Sequence, residues 1–252
     1  MLKGLTSNRG FLPAVVAVVA VAGGLAWTLW GWSPRAALAG TNFYFWFLLC
    51  MCAELLRTGS SGKGTASMAA CVHIACLLVL RRPEAMAVVG LSALVASRVI
   101  QRRSWWQSAF EGGALMLVVG LARVGFDTLA AEGWRPSSLV AAGHYVPILA
   151  AAAIYFVASF ATRAAWAVVD EGASIPTALQ GQFGPKYEFV SAGVLVSLGM
   201  LLAVQFKTAG ALGVIPLVLP VVVARHGLDY FTGAGGRSRS SLGSHERPRI
   251  AA

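Results

Sequence analysis

The fold class predicted by this sequence is all-α, a polytopic transmembrane helix bundle of about eight spans. Two observations predict it. Apolar runs long enough to cross a bilayer recur from Pro13 almost to the last residues, leaving no stretch large enough for a soluble domain. Composition agrees: 57% of residues are hydrophobic and only 12% charged, with a mean hydropathy of +0.70, beyond what a water-facing surface tolerates.

The candidate spans lie near 12–32, 42–57, 65–80, 84–100, 107–127, 139–167, 187–206 and 209–230. The first is too long for the apolar core of a cleaved signal peptide and is expected to stay as an anchor. The third and fourth are short and flank Arg81-Arg82-Pro83-Glu84, which reads as a tight hairpin, so six or seven true spans are also compatible. Domain organisation is simple: residues 1–231 form the helical membrane domain. Residues 232–252, rich in Gly, Ser and Arg, are expected to be a disordered basic cytoplasmic tail. The polar stretch from Asp170 to Lys186 is broken by Pro176, Gly181, Gly184 and Pro185 and is expected to lie along the membrane surface.

With eight spans, of the 20 Lys and Arg fourteen fall on the side of the N-terminus and six on the other. That bias places both ends in the cytoplasm of a cell whose inner membrane holds the chain. Trp30, Trp32, Trp105, Trp106 and Trp134 suit the interfacial aromatic belt. The formal net charge of +10 is spread over short loops, so the expected partner is the anionic lipid surface rather than nucleic acid. A protein partner and self-association remain compatible with it. Cys50, Cys52, Cys71 and Cys76 all sit in apolar runs and read as small buried hydrophobes.

Ionisable groups at membrane depth are costly unless paired or wetted, so they are the natural candidates for a site. Glu111, one turn into the fifth span, and Glu54, one turn before the end of the second, are expected to pair at the interface with Arg57, Arg102 or Arg103. Arg123 and Asp127, four apart, meet on one helical face as an ion pair or a rim contact. In the sixth span His144, Tyr155, Ser159, Thr162 and Trp166 fall within roughly 60° at 100° per residue, a semi-polar stripe facing the bundle. It serves as packing glue or as the lining of a small pocket. His73 reads as a satisfied core histidine. Glycine pairs at 23–24 and 112–113, with Gly120 a heptad on, permit close helix approach.

Catalytic templates find no match. Gly59 to Gly62 (GSSG) lies in a polar loop, no His/Asp/Glu cluster has metal-ligand spacing, and no lysine lies between Gly210 and Phe231 to hold retinal. Neither an enzyme nor a cofactor is expected.

Three stretches carry a resemblance: RRSWWQSAFEGGA at Arg102 to Ala114, AAAIYFVASFATRAAWAVVDEG at Ala151 to Gly172, and GALGVIPLVLPVVVARHGLDYF at Gly210 to Phe231. Together they resemble the multi-span sensory region at the N-terminus of bacterial HD-GYP-type phosphohydrolases and GGDEF-type cyclases. The first stretch departs from that pattern, with Phe110-Glu111 where the family commonly has Phe-Asn. Such sensors run on into a catalytic domain, whereas about 21 residues follow Phe231 here. The resemblance therefore implies a sensor-like module without an output domain that signals through a separate partner. The alternatives are the substrate-binding membrane subunit of a transporter and a structural subunit of a membrane complex.

Overall fold

A computed structural model describes residues 11–30, 41–57, 69–130, 145–170, 172, 174–182 and 192–218. Among them 93% are helical and none is in a strand. The order is α1 (Phe11–Leu29), α2 (Thr41–Arg57), α3 (Ala69–Val79), α4 (Arg82–Val95), α5 (Trp105–Leu129), α6 (Tyr145–Asp170), α7 (Ile175–Gln182) and α8 (Ala192–Val218). Four helices are long and apolar enough to cross a membrane: α4 with its extension to Ile100, α5, α6 and α8. His144, Trp32, Trp134, the GSSG loop and the tail after Thr232 lie outside the described residues.

The centre of the bundle is α5, packed against α1, α4 and α6. Glycine makes the first two contacts possible. A Cβ at Gly113 would stand 2.5 Å from the Val21 nitrogen, and one at Gly24 only 3.1 Å from the Gly113 carbonyl oxygen. On the other flank Gly90 and Gly112 face each other, each Cβ position 2.9 Å from the other's carbonyl oxygen. Backbones meet directly where no side chain intervenes, as the glycine pairs imply.

The expected hairpin is present. α3 ends at Val79, α4 starts at Arg82, and the Arg81 N–H donates to Glu84 Oε2 at 3.4 Å while Pro83 occupies the first turn, where its missing N–H is harmless. The far end of α4 passes into a π-helical turn, Ala96–Ile100, closed by Gln101 N–H to Ala96 O at 3.1 Å and Arg103 N–H to Ser97 O at 3.1 Å. Arg102 then takes φ +54°, rare for a side-chain-bearing residue, and turns the chain into α5, whose N-cap Ser104 accepts from Gln107 N–H at 3.3 Å.

Two features depart from the expected layout. The polar stretch after Asp170 contains a short helix, α7, capped by Ser174, which accepts from Thr177 N–H at 3.4 Å. Between the seventh and eighth expected spans the helical run does not stop at Lys207. It continues to Val218 as one helical run, with Gly210 at φ +68° within it. α8 joins the core through Phe206, whose ring lies 5.0 Å from Trp46 and 5.5 Å from Phe45 of α2.

Candidate functional site

The semi-polar stripe on α6 faces the bundle. Tyr155 and Ser159 are 4% and 6% exposed, whereas Val157 on the opposite side is 68% exposed. Proline 147 sits in the first turn of α6, and the Ala-rich surface between it and Tyr155 lets α6 approach α5 closely. Tyr155 reaches α3, where its Oη lies 2.7 Å from His73 Nδ1. The other ring nitrogen, His73 Nε2, is 3.7 Å from Glu54 Oε1 on α2. Both His73 and Glu54 are 2% exposed. Three helices thus contribute one residue each to a buried Glu54–His73–Tyr155 group.

The side chain of Arg57, one expected partner of Glu54, lies outside the described residues; the Glu54 carboxylate itself is 2% exposed. It is in the core beside an imidazole, which compensates part of the cost of burying a carboxylate. His73 is a core histidine, as expected, with Nδ1 bonded to Tyr155, and its neighbours make it part of a polar group rather than an isolated one. The signal was in the sequence: two ionisable residues in separate apolar runs each carry a large burial cost, and their meeting offsets both.

Next to this group lies a cavity of about 40 Å³, lined among others by Glu54, His73, Tyr155, Ser159 and Arg163, which has room for water. A second cavity of about 160 Å³ lies between α5 and α6 towards the Arg103 end of the bundle. Its polar wall is Arg103, Gln107, Glu111, Ser159, Thr162 and Arg163, and Phe110, Ala114, Leu115 and Trp166 supply the apolar part. Leu115, Ser159 and Arg163 line both, so these three side chains form the partition between an outer and an inner chamber.

The outer chamber is framed by ion-pair and ring contacts. Glu111 Oε1 accepts from Arg103 Nη1 at 3.0 Å, the pairing expected of it. Arg103 is in turn fixed by its carbonyl, which accepts from Arg98 Nη1 at 2.9 Å, and Arg98 stacks over the Trp105 ring at 4.5 Å. Phe110 and Trp166 pack ring against ring at 4.6 Å, with Ala17, Ala20 and Ala114 forming an apolar patch around them. Thr162 spends its hydroxyl on its own helix, donating to Ser159 O at 3.0 Å. Ser159 Oγ is different: it is buried and has no hydrogen-bond partner among the described residues.

Arg123 and Asp127 stand apart, near the opposite end of α5. They form the expected ion pair at 2.9 Å, and Arg123 Nη1 also donates to the carbonyls of Leu77 and Leu80, the latter at 3.1 Å. These are the unsatisfied carbonyls at the end of α3, so the guanidinium caps a helix C-terminus and is structural. Of the cysteines, Cys50, Cys71 and Cys76 are buried, with Cys50 and Cys76 sulfurs 3.5 Å apart. Cys52 is exposed, contrary to expectation, because it falls on the outer face of α2. Among the described residues no group of three or more His, Cys, Asp or Glu is placed to hold a metal.

The fold and site define an all-helical protein with helices fit to cross a membrane and a polar, two-chambered interior. No protein-family model, curated protein or solved structure matches the chain.

Proposed function

We propose that this protein is a non-enzymatic, sensor-like protein of a bacterial inner membrane that binds a small ligand between α5 and α6 and passes that state to a separate protein partner. One observation carries the ligand site: the Ser159 hydroxyl, buried and without a hydrogen-bond partner among the described residues, which lines both of two adjacent cavities. A buried polar atom left unsatisfied costs about 1–3 kcal/mol, and a bound ligand that bonds to it recovers that cost. The resemblance of the Ala151 to Gly172 stretch to membrane sensory regions points the same way, since α6 carries this stripe.

In this reading the four long helices combine with the shorter apolar runs into about eight spans, with both ends in the cytoplasm and the Arg103 end of the outer chamber facing it. Reporter fusions at Gly133 and Ala252 are expected to report outside and inside respectively, and the opposite pair refutes the orientation. Ligand binding is tested by thermal-shift screening of the purified protein against small molecules, with Ser159→Leu as the blocked control. Compounds that stabilise the wild type and not the variant support the site. If every stabilising compound acts equally on both, the chamber is not where ligands bind.

A further inference from the structure

We infer that the turn between α4 and α5 binds the headgroup of an anionic phospholipid, with the Arg102 guanidinium on its phosphate and Trp105 and Trp106 beside its glycerol. The turn joins two of the helices long enough to cross a membrane, so it stands at one face of the bilayer. Residues 98–106 hold three arginines and two tryptophans, and no Asp or Glu falls between Glu84 and Glu111. This site is separate from the α5–α6 chamber, whose walls include Arg103 but not Arg98, Arg102 or the two tryptophans.

The three arginines are not equivalent. Arg103 pairs with Glu111 at 3.0 Å, and Arg98 donates to the Arg103 carbonyl at 2.9 Å while lying over the Trp105 ring at 4.5 Å. Arg102 is exposed and has neither an ion pair nor a hydrogen bond among the described residues. It also stands at φ +54°, where glycine is the residue of lowest cost. The turn is closed by backbone bonds, Gln101 N–H to Ala96 O and Arg103 N–H to Ser97 O, both at 3.1 Å, and neither uses the Arg102 side chain. A glycine would close the same turn with less strain. The guanidinium is thus a group the fold does not require, held in a costly conformation where a bilayer presents its headgroups.

A phosphodiester carries one negative charge and two oxygens that accept side by side from a guanidinium fork. Arg102 supplies that fork, and the positive charge of Arg98 stands behind it. In a zwitterionic headgroup the lipid's own cation competes for the same phosphate. Val99, Trp105 and Trp106 are exposed apolar neighbours of the turn, and tryptophan rings settle at headgroup level. Those contacts favour a phosphate that carries acyl chains over a soluble one.

The test titrates the full chain in detergent micelles with dioleoyl phosphatidylglycerol or dioleoyl phosphatidylcholine, read by native mass spectrometry and thermal unfolding. The wild type is expected to bind phosphatidylglycerol more tightly and to be stabilised by it. Arg102→Gln weakens phosphatidylglycerol about fivefold, the effect of one arginine at a membrane surface, and leaves phosphatidylcholine unchanged. Arg102→Gly separates backbone from side chain. In phosphatidylcholine it is expected to unfold at the same or a higher temperature than the wild type, while the added stability from phosphatidylglycerol shrinks. Arg82→Gln, at the other end of α4, keeps the wild-type preference.

Equal phosphatidylglycerol affinity for the wild type, Arg102→Gln and Arg102→Gly overturns the inference. An equal loss in Arg82→Gln replaces the site by diffuse surface charge and overturns it too. A lower unfolding temperature of Arg102→Gly in phosphatidylcholine makes the guanidinium a part of the fold and removes the reason for a ligand. Inorganic phosphate that stabilises the wild type as phosphatidylglycerol does, with the same sensitivity to Arg102→Gln, assigns the turn to a soluble anion and overturns the lipid.

Discussion

His73 and Tyr155, 82 residues apart in sequence, meet in a 2.7 Å hydrogen bond that ties α3 to α6 inside the bundle. Glu54 stands on the far side of the same imidazole. The group is buried on all three helices, so the Tyr155–His73 hydrogen bond lies in a low-dielectric interior, where breaking it costs more than at a surface.

Tyr155 is therefore the first residue to probe. Tyr155→Phe removes the hydroxyl alone and is expected to cost about 1–2 kcal/mol, while Tyr155→Ala adds a cavity and costs about 2–4 kcal/mol. Val157→Ala, on the exposed face, is expected to cost less than about 1 kcal/mol because lipid takes up the space. Thermal unfolding in detergent checks the order, and equal shifts for the Tyr155 and Val157 variants refute the inward-facing stripe.

The glycine seam makes a steric prediction. Gly113→Val drives a side chain into the α1 backbone at Ala20 and Val21 and is expected to abolish or severely lower the yield of folded protein. Gly193→Ala, on α8 with open space around it, is expected to be neutral or to stabilise by up to about 1 kcal/mol through helix propensity. Size-exclusion profiles of the two variants provide the comparison.

Arg123 holds the end of α3, whereas Asp127 is half exposed and serves mainly to orient it. Arg123→Ala should destabilise by about 1–3 kcal/mol, because two helix-end carbonyls lose their donor. Asp127→Ala should cost under about 1 kcal/mol. Indistinguishable unfolding temperatures for the two variants would show that the carbonyl contacts contribute nothing.

Thiol reactivity separates the cysteines. In the folded protein a membrane-permeant maleimide is expected to modify Cys52 and to spare Cys50, Cys71 and Cys76, with all four reacting after denaturation. Mass spectrometry of peptides gives the count. Rapid modification of Cys76 in the native state contradicts the packing of α3.

What the sequence disclosed and what it concealed follow from the range of the forces involved. The α6 stripe was legible because Tyr155, Ser159 and Val157 sit on one helix, where a fixed rotation per residue assigns each a face. The Glu111–Arg103 and Arg123–Asp127 pairs were legible because local geometry limits their partners. The burial of Glu54 beside His73 was hidden because that imidazole lies on another helix, and nothing local to the second apolar run marks its carboxylate as a core group. The α7 helix was missed although Ser174-Ile175-Pro176-Thr177 is a recognisable start signal, a capping serine followed by a proline in the first turn.

The uneven spacing between α5 and α6 has a geometric consequence. Near one end they touch closely, for a Cβ at Gly125 would overlap the Ile154 side chain. At the other they diverge enough to hold a 160 Å³ chamber. The pair is a wedge with its apex at Gly125 and Ile154. On the far flank α5 approaches α1 and α4 closely at its glycines, with backbone against backbone at Gly113 and Gly112 and the Met116 side chain filling the space beside Gly24 and Gly90. The chamber therefore lies at the open end of that wedge, on the Trp166 side, away from the tight Gly125–Ile154 contact.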